Sequence, residues 1–344
     1  MLKLLVKKPL FLIGATFIIL LVTASLIQEF VYDGYVPSEF LHYSDKGELL
    51  AKSPLTPAQH PPFGTDESGF DIFYMVILGA KYTLGIAFVV AGLRLAISVV
   101  LGLLYGNYFI QFKKYIAGLV DAFYYMPVAL VAILLLRGSG IMFSTQNGFN
   151  SSVLERGFLE IVILTLIAIP TTSLLIGNET SLILRNEFIT GARVMGGSRF
   201  HIIRRHVLPH LAPKLWIQYV QQVIQVLVLL VHLGLFHLFF GGTIKEKLPF
   251  INEVVYRSST GEWAGLIGHY YHLLRFFPWL PLVPLFAFAF TILAMNFILE
   301  ALKSAMAEKN ERRTRLPSTE KENPTKPVHP IHPSFEPVYR SKPM

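Results

Sequence analysis

Thr190-Gly191-Ala192-Arg193-Val194-Met195-Gly196, followed after a fixed interval by His206-Val207-Leu208-Pro209, is a basic segment set between two long apolar runs. Leu184, Phe188, Gly191 and Met195 recur at helical spacing and predict one apolar face, with polar residues opposite. Gly196-Gly197 breaks that helix, and Ser198 is suited to cap a second one. Pro209 is expected to end the second helix by removing a donor and restricting the residue before it. In that second helix Phe200, Ile203 and Val207 share a face, while His201, Arg204 and Arg205 point elsewhere. The pattern predicts a compact knob, apolar inward and basic outward. The plainer alternative is a charged loop that only fixes topology.

Outward from this segment the chain is dominated by apolar residues. Of its 344 residues 53% are hydrophobic and 15% charged, and the mean hydropathy is +0.52. That balance excludes an ordinary soluble domain and predicts an all-α integral membrane protein. The net charge of +8 is read as cytoplasmic-loop and lipid-headgroup charge rather than as a nucleic-acid surface. Cysteine is absent, which removes disulfides, thiolate metal sites and thiol nucleophiles.

An ionised side chain at mid-bilayer costs roughly 2.5–3.5 kcal/mol on insertion scales, so spans are sought where charge is scarce. Six are expected, at about residues 9–28, 82–108, 115–136, 161–178, 216–240 and 277–299. Between them the second carries only Arg94 and the third only Asp121. The first run lacks a convincing small-residue cleavage site and is read as an uncleaved anchor. Placing the N-terminus inside gathers Lys113, Lys114, Arg185, Arg193, Arg199, Arg204, Arg205, Lys214 and Lys303 on the cytoplasmic side. Glu29, Asp33, Glu39, Asp66, Glu67 and Asp71 then fall in an external loop, and both termini are cytoplasmic. Residues 1–306 form one membrane domain on this reading. Residues 307–344, rich in charge and proline, are expected to form a disordered cytoplasmic tail.

The central segment resembles the cytoplasmic loop of ABC importer permeases, in which Glu-Ala-Ala, three residues and Gly precede a tetrapeptide ending in Leu-Pro. Gly191, Ala192, Gly196, Leu208 and Pro209 occupy matching positions, and His206 begins the tetrapeptide as is common in the oligopeptide and dipeptide branch. Further blocks along most of residues 1–306 are similar to the C-type permease of that branch. They are Phe63-Gly64-Thr65-Asp66, Gly79-Ala80-Lys81, Asp121 with Pro127, Glu262-Trp263, Pro278-Trp279, Pro284, and the run Asn296 to Lys303. The chain departs from the pattern where Thr190 replaces an acidic residue and Phe70 an Arg. Val231 to Phe236 matches a Gly-containing block only loosely.

The resemblance implies a permease subunit of an ATP-driven importer for peptides or similar small solutes, working by alternating access. It implies a second homologous permease, one or two cytoplasmic ATPase subunits and an extracytoplasmic substrate-binding lipoprotein as partners. It assigns ATPase coupling to Thr190, Gly191, Ala192, Gly196, Arg204, Arg205, His206, Leu208 and Pro209. ATP and magnesium belong to the partner subunits, since no Gly-rich phosphate loop ending Gly-Lys-Ser/Thr is present here. The competing reading is a non-transporting scaffold or regulatory subunit derived from such a permease. Arg94 and Asp121 are intramembrane charges and hence functional candidates, expected to pair with each other or to line a polar path. Pro209 interrupts the pair His206 and His210, and His269 with His272 lacks a nearby Cys or carboxylate cluster, so no metal is expected. Gly102 and Gly106 are placed to let two helices approach closely.

Overall fold

The computed structural model describes residues 2–43, 49–108, 125–145, 148–247 and 254–314, together with positions 115, 118 and 120. The described chain is mostly helical, and five helices are long and apolar enough to cross a membrane. After the short α1 (Leu2–Leu5), α2 spans Pro9–Phe30, with proline in its first turn where a missing N–H costs nothing. Leu20 and Ile19 on α2 face outward, as a lipid-exposed helix permits.

α3 runs from Ile72 to Tyr108, ten residues earlier than the expected start at 82. Two features explain the correction. Asp71 caps the helix, its Oδ1 accepting from the Phe73 amide at 2.8 Å. Lys81, the charge that suggested a boundary, is neutralised within the helix by an ion pair with Glu29.

Of the expected third span, 115–136, the described part is α4 (Val128–Gly138) plus isolated helical positions; Asp121 lies outside the described residues. α5 covers Val153–Leu184, longer than the expected 161–178 because Ser152 and Glu155 form a reciprocal capping box at its start. At its other end Glu179 pairs with Lys214.

α6 (Glu187–Val194) and α7 (Arg199–Ile202) follow. α7 passes through a π turn, Ile203–Val207, directly into α8 (Leu208–Leu235). Pro209 therefore does not end a helix, contrary to expectation. It sits in the first turn of α8, beside a widened turn in which the Leu208 amide bonds to the Ile203 carbonyl five residues back. α8 stops at Leu235 rather than 240, because His237, Gly241 and Gly242 take positive φ and turn the chain.

α9 (Trp263–Tyr270) is short, and α10 runs from Trp279 to Thr314. The helix thus continues past 307, where a disordered tail was expected to begin. Lys8 holds this extension through Glu308 at 3.1 Å. Residues 315–344 lie outside the described residues.

Two antiparallel hairpins interrupt the all-helical expectation in the connecting segments: β1 (Leu41–Tyr43) with β2 (Leu49–Lys52), and β3 (Thr243–Lys247) with β4 (Val254–Ser258). The segment before α3 is organised by buried carboxylates. Oδ1 of Asp66 accepts from the amides of Ser68 (2.9 Å) and Phe70 (2.7 Å), and Oδ2 accepts from the Tyr270 hydroxyl at 3.0 Å. Burial pushes the Asp66 carboxyl above its ordinary range. Trp263, fully buried, donates from Nε1 to the Val76 carbonyl at 2.6 Å and ties α9 to α3.

The main core lies where α3, α8, α9 and α10 meet, around Val90, Val223, Leu233, Trp263 and Phe288. α3 packs along α5 through small residues. A Cβ on Gly106 would stand 2.6 Å from the Gly177 carbonyl, and one on Gly102 would stand 2.8 Å from Ile176. Here the expected role of these glycines in close helix packing is met.

Candidate functional site

The basic segment folds into a hairpin on the end of α5 and α8. Gly196, with φ +85°, closes α6. Its amide bonds to the Arg193 carbonyl and that of Gly197 to the Ala192 carbonyl, both at 3.0 Å, a Schellman arrangement that needs glycine at the left-handed position. Ser198 then caps α7, accepting from the His201 amide at 3.3 Å. Phe188 stacks on His210 with centroids 5.0 Å apart, joining the two arms, and His210 Nδ1 donates to the His206 carbonyl at 2.8 Å.

The inward faces differ from those expected. Ile189, Ala192, Ile202, Val207 and Leu211 are buried together, whereas Phe188, Gly191, Met195 and Phe200 are exposed. The chain breaks at Arg185 and Asn186, so the phase of Leu184 is lost before α6 begins. In the second arm the π turn adds one residue between buried positions and pairs Ile202 with Val207. The outcome is a more apolar tip than the sequence suggested. Val194 and Met195 are each 83% exposed, and Phe200, Arg193, Arg204 and Arg205 are exposed too. Thr190, Gly191, Gly196, Leu208 and Pro209 are also exposed, His206 is half-buried, and Ala192 belongs to the small core.

A second site lies at mid-depth. Arg94 of α3 is 2% exposed and bonds to the Leu164 carbonyl of α5 through Nε (2.9 Å) and Nη2 (2.6 Å). Its Nη1 donates to Gln222 Oε1 of α8 at 3.3 Å, and Gln222 in turn donates to Thr172 Oγ1 at 3.2 Å. The guanidinium thereby joins three spans and stands in the wall of a cavity of about 540 Å³ shared by α3, α4, α5 and α8. Of the two expectations for Arg94, pairing with Asp121 falls on a position outside the described residues, and the structure places Arg94 in the wall of this cavity. Gln222 and Thr172 were overlooked in the sequence, where uncharged polar residues inside a span carry little signal; a Gln in an otherwise apolar run was the available clue.

A family model described as "Binding-protein-dependent transport system inner membrane component" matches residues 98–310. The chain is 27% identical over 254 residues to the peptide transport system permease protein SapC of Haemophilus influenzae, covering 72% of this chain and 74% of that protein. It is 26% identical over 250 residues to the dipeptide transport system permease protein DppC of Alkalihalophilus pseudofirmus, covering 72% and 71%. Among solved structures, an inward facing form of the MetNI methionine ABC transporter aligns with a TM-score of 0.49 at 16% identity, covering 68% of this chain and 97% of that one. The match to the family model spans more than half of the chain, and the chain belongs to the binding-protein-dependent transport system inner membrane components, as a multi-pass permease subunit of the oligopeptide and dipeptide type of ABC importer.

Proposed function

We propose that this subunit moves peptides or similar small solutes inward by alternating access, and that the 187–211 hairpin is the part gripped by an ATPase. The observation that carries this reading is the hairpin itself. The hairpin presents Val194, Met195 and Phe200 to solvent, and Arg193, Arg204 and Arg205 of the same hairpin are exposed as well. Exposed apolar groups with a charged rim are the composition of a docking surface. On its α8 side the hairpin runs through the π turn into the span as one continuous helix, and α8 contributes Gln222, Gln225 and His232 to the polar contacts and wall of the central site. A push at the tip is thereby delivered to the cavity by a continuous helix, the kind of two-state coupling that alternating access requires.

On this reading the hairpin and both termini face the cytoplasm. ATP and magnesium are bound and ATP is hydrolysed on one or two separate ATPase subunits. A second homologous permease completes the path, and an extracytoplasmic binding lipoprotein delivers solute. Membrane lipid covers the outer helices, and no nucleic acid is involved.

The double variant Arg204→Glu/Arg205→Glu tests the docking claim. Each charge-assisted contact at such a surface is worth about 1.5–3 kcal/mol where well formed. We expect ATPase co-purification to fall at least about tenfold while the thermal midpoint of the membrane domain is retained. Unchanged co-purification removes the hairpin from the ATPase interface.

A further inference from the structure

The central cavity has a charge pattern that the import reading leaves unassigned. Its wall is apolar apart from Arg94, Thr171, Gln225 and His232, and no carboxylate stands among its described lining residues. Arg94 has five N–H donors, and the bonds to Leu164 and Gln222 are three. Both partners are neutral, so among the described residues two N–H groups and the positive charge are left without a partner. Leu164 and Gln222 lie in the interior turns of α5 and α8, which puts this charge well inside the membrane domain. A buried guanidinium with no counter-ion among the described residues favours an oxyanion, which its planar fork engages in bidentate fashion.

The same sign continues toward the end of the domain opposite the hairpin. α4 contributes Val128, Ala129 and Val131 to the central cavity, and its Arg137 lines a second hollow of about 230 Å³. That hollow is completed by Phe143, His237, Lys245 and Tyr256. Arg137 is held by the Phe236 carbonyl at 3.1 Å, and Lys245 Nζ stands 4.4 Å from the Phe143 ring centre. Among its described lining residues no carboxylate stands in this hollow either. Cations placed in series along a low-dielectric path raise the local concentration of anions and lower that of cations.

Resting on the import reading, we infer that this path selects solutes with more carboxylates than amino groups, and that Arg94 binds a carboxylate of the passing solute. Arg137 and Lys245 form the outer station of the same route. Selection by the permease is separable from selection by a binding protein, because the delivery partner is common to wild type and variants.

The experiment is ATP-driven uptake of Ala-Glu-Glu and Ala-Lys-Lys into vesicles holding the complete complex. The expected result is a ratio of at least about ten in favour of Ala-Glu-Glu, which Arg94→Gln lowers at least several-fold and Arg94→Lys largely keeps. A wild-type ratio near one, or a ratio that Arg94→Gln leaves unchanged, overturns the inference and leaves the import reading standing. Should Arg94→Gln not reach the membrane folded, Arg137→Gln/Lys245→Gln decides in its place: a fallen ratio supports the inference and an unchanged one overturns it. Absence of uptake of both peptides by a wild-type complex that hydrolyses ATP overturns the import reading, and this inference with it.

Discussion

At the scale of single residues, titration and substitution carry different information. His269 lies outside the five long spans, its Nδ1 donating to the Tyr256 carbonyl at 2.9 Å, with its ring against Tyr270. Burial lowers its pKa from an ordinary value near 6.5 to about 4. A histidine held neutral in the folded state supports stability above pH 6.5 and loses that support as pH falls toward 4. Acidification from pH 7 to 5 is therefore expected to cost the α9 region about 2 kcal/mol from this group. Hydrogen exchange of residues 254–273 at the two pH values measures it, and His269→Phe should remove most of the difference. Thr190 shows the other kind of information. Its departure from the acidic family pattern was legible, and the structure leaves it exposed on α6. On the proposed reading, what replaces that carboxylate is a property of an ATPase surface, which no residue of this chain encodes.

At the scale of elements, the decisive contact is α3 against α5. Gly106→Val places methyl groups where the Gly177 carbonyl and Thr180 already stand, at 2.6 Å and 2.9 Å from the new Cβ. Overpacking of this kind costs about 1–3 kcal/mol, and a lowered thermal midpoint in detergent with intact helical content is the expected outcome. Helix existence was readable from apolar runs, whereas helix ends were not. Ends set by capping, at Asp71 and Ser152, extend helices past charges that a hydropathy reading treats as borders. Lys81 and Glu179 are tolerated because each has a partner from another element, Glu29 and Lys214, visible only once the helices pack. The hairpin faces were misassigned for a related reason. A uniform 3.6-residue period cannot anticipate the break at Arg185 or the extra residue of the π turn before Pro209. The short strands β1 to β4 went unread because three to five residues carry too little alternation to stand out.

At the scale of the whole molecule, two features separated in sequence become one device. The hairpin stands at one end of α5 and α8, the Arg94 cavity lies farther along the same two helices, and both helices run continuously between the two. The cavity could not be read from the sequence: Arg94, Leu164 and Gln222 are far apart along the chain and meet only through packing. Because the native chain has no cysteine, Thr190→Cys and Glu67→Cys, both at exposed positions, can be labelled singly in intact cells. An impermeant thiol reagent is expected to reach Glu67→Cys and spare Thr190→Cys until the membrane is opened; the reverse pattern inverts the proposed orientation. The central claim, ATP-driven import through this subunit, is tested most directly by solute uptake in vesicles holding the two permeases, the ATPases and the binding protein. The account predicts uptake that requires ATP and the binding protein and that falls at least about tenfold with Arg204→Glu/Arg205→Glu; ATPase binding and hydrolysis with no uptake of any supplied peptide would contradict it.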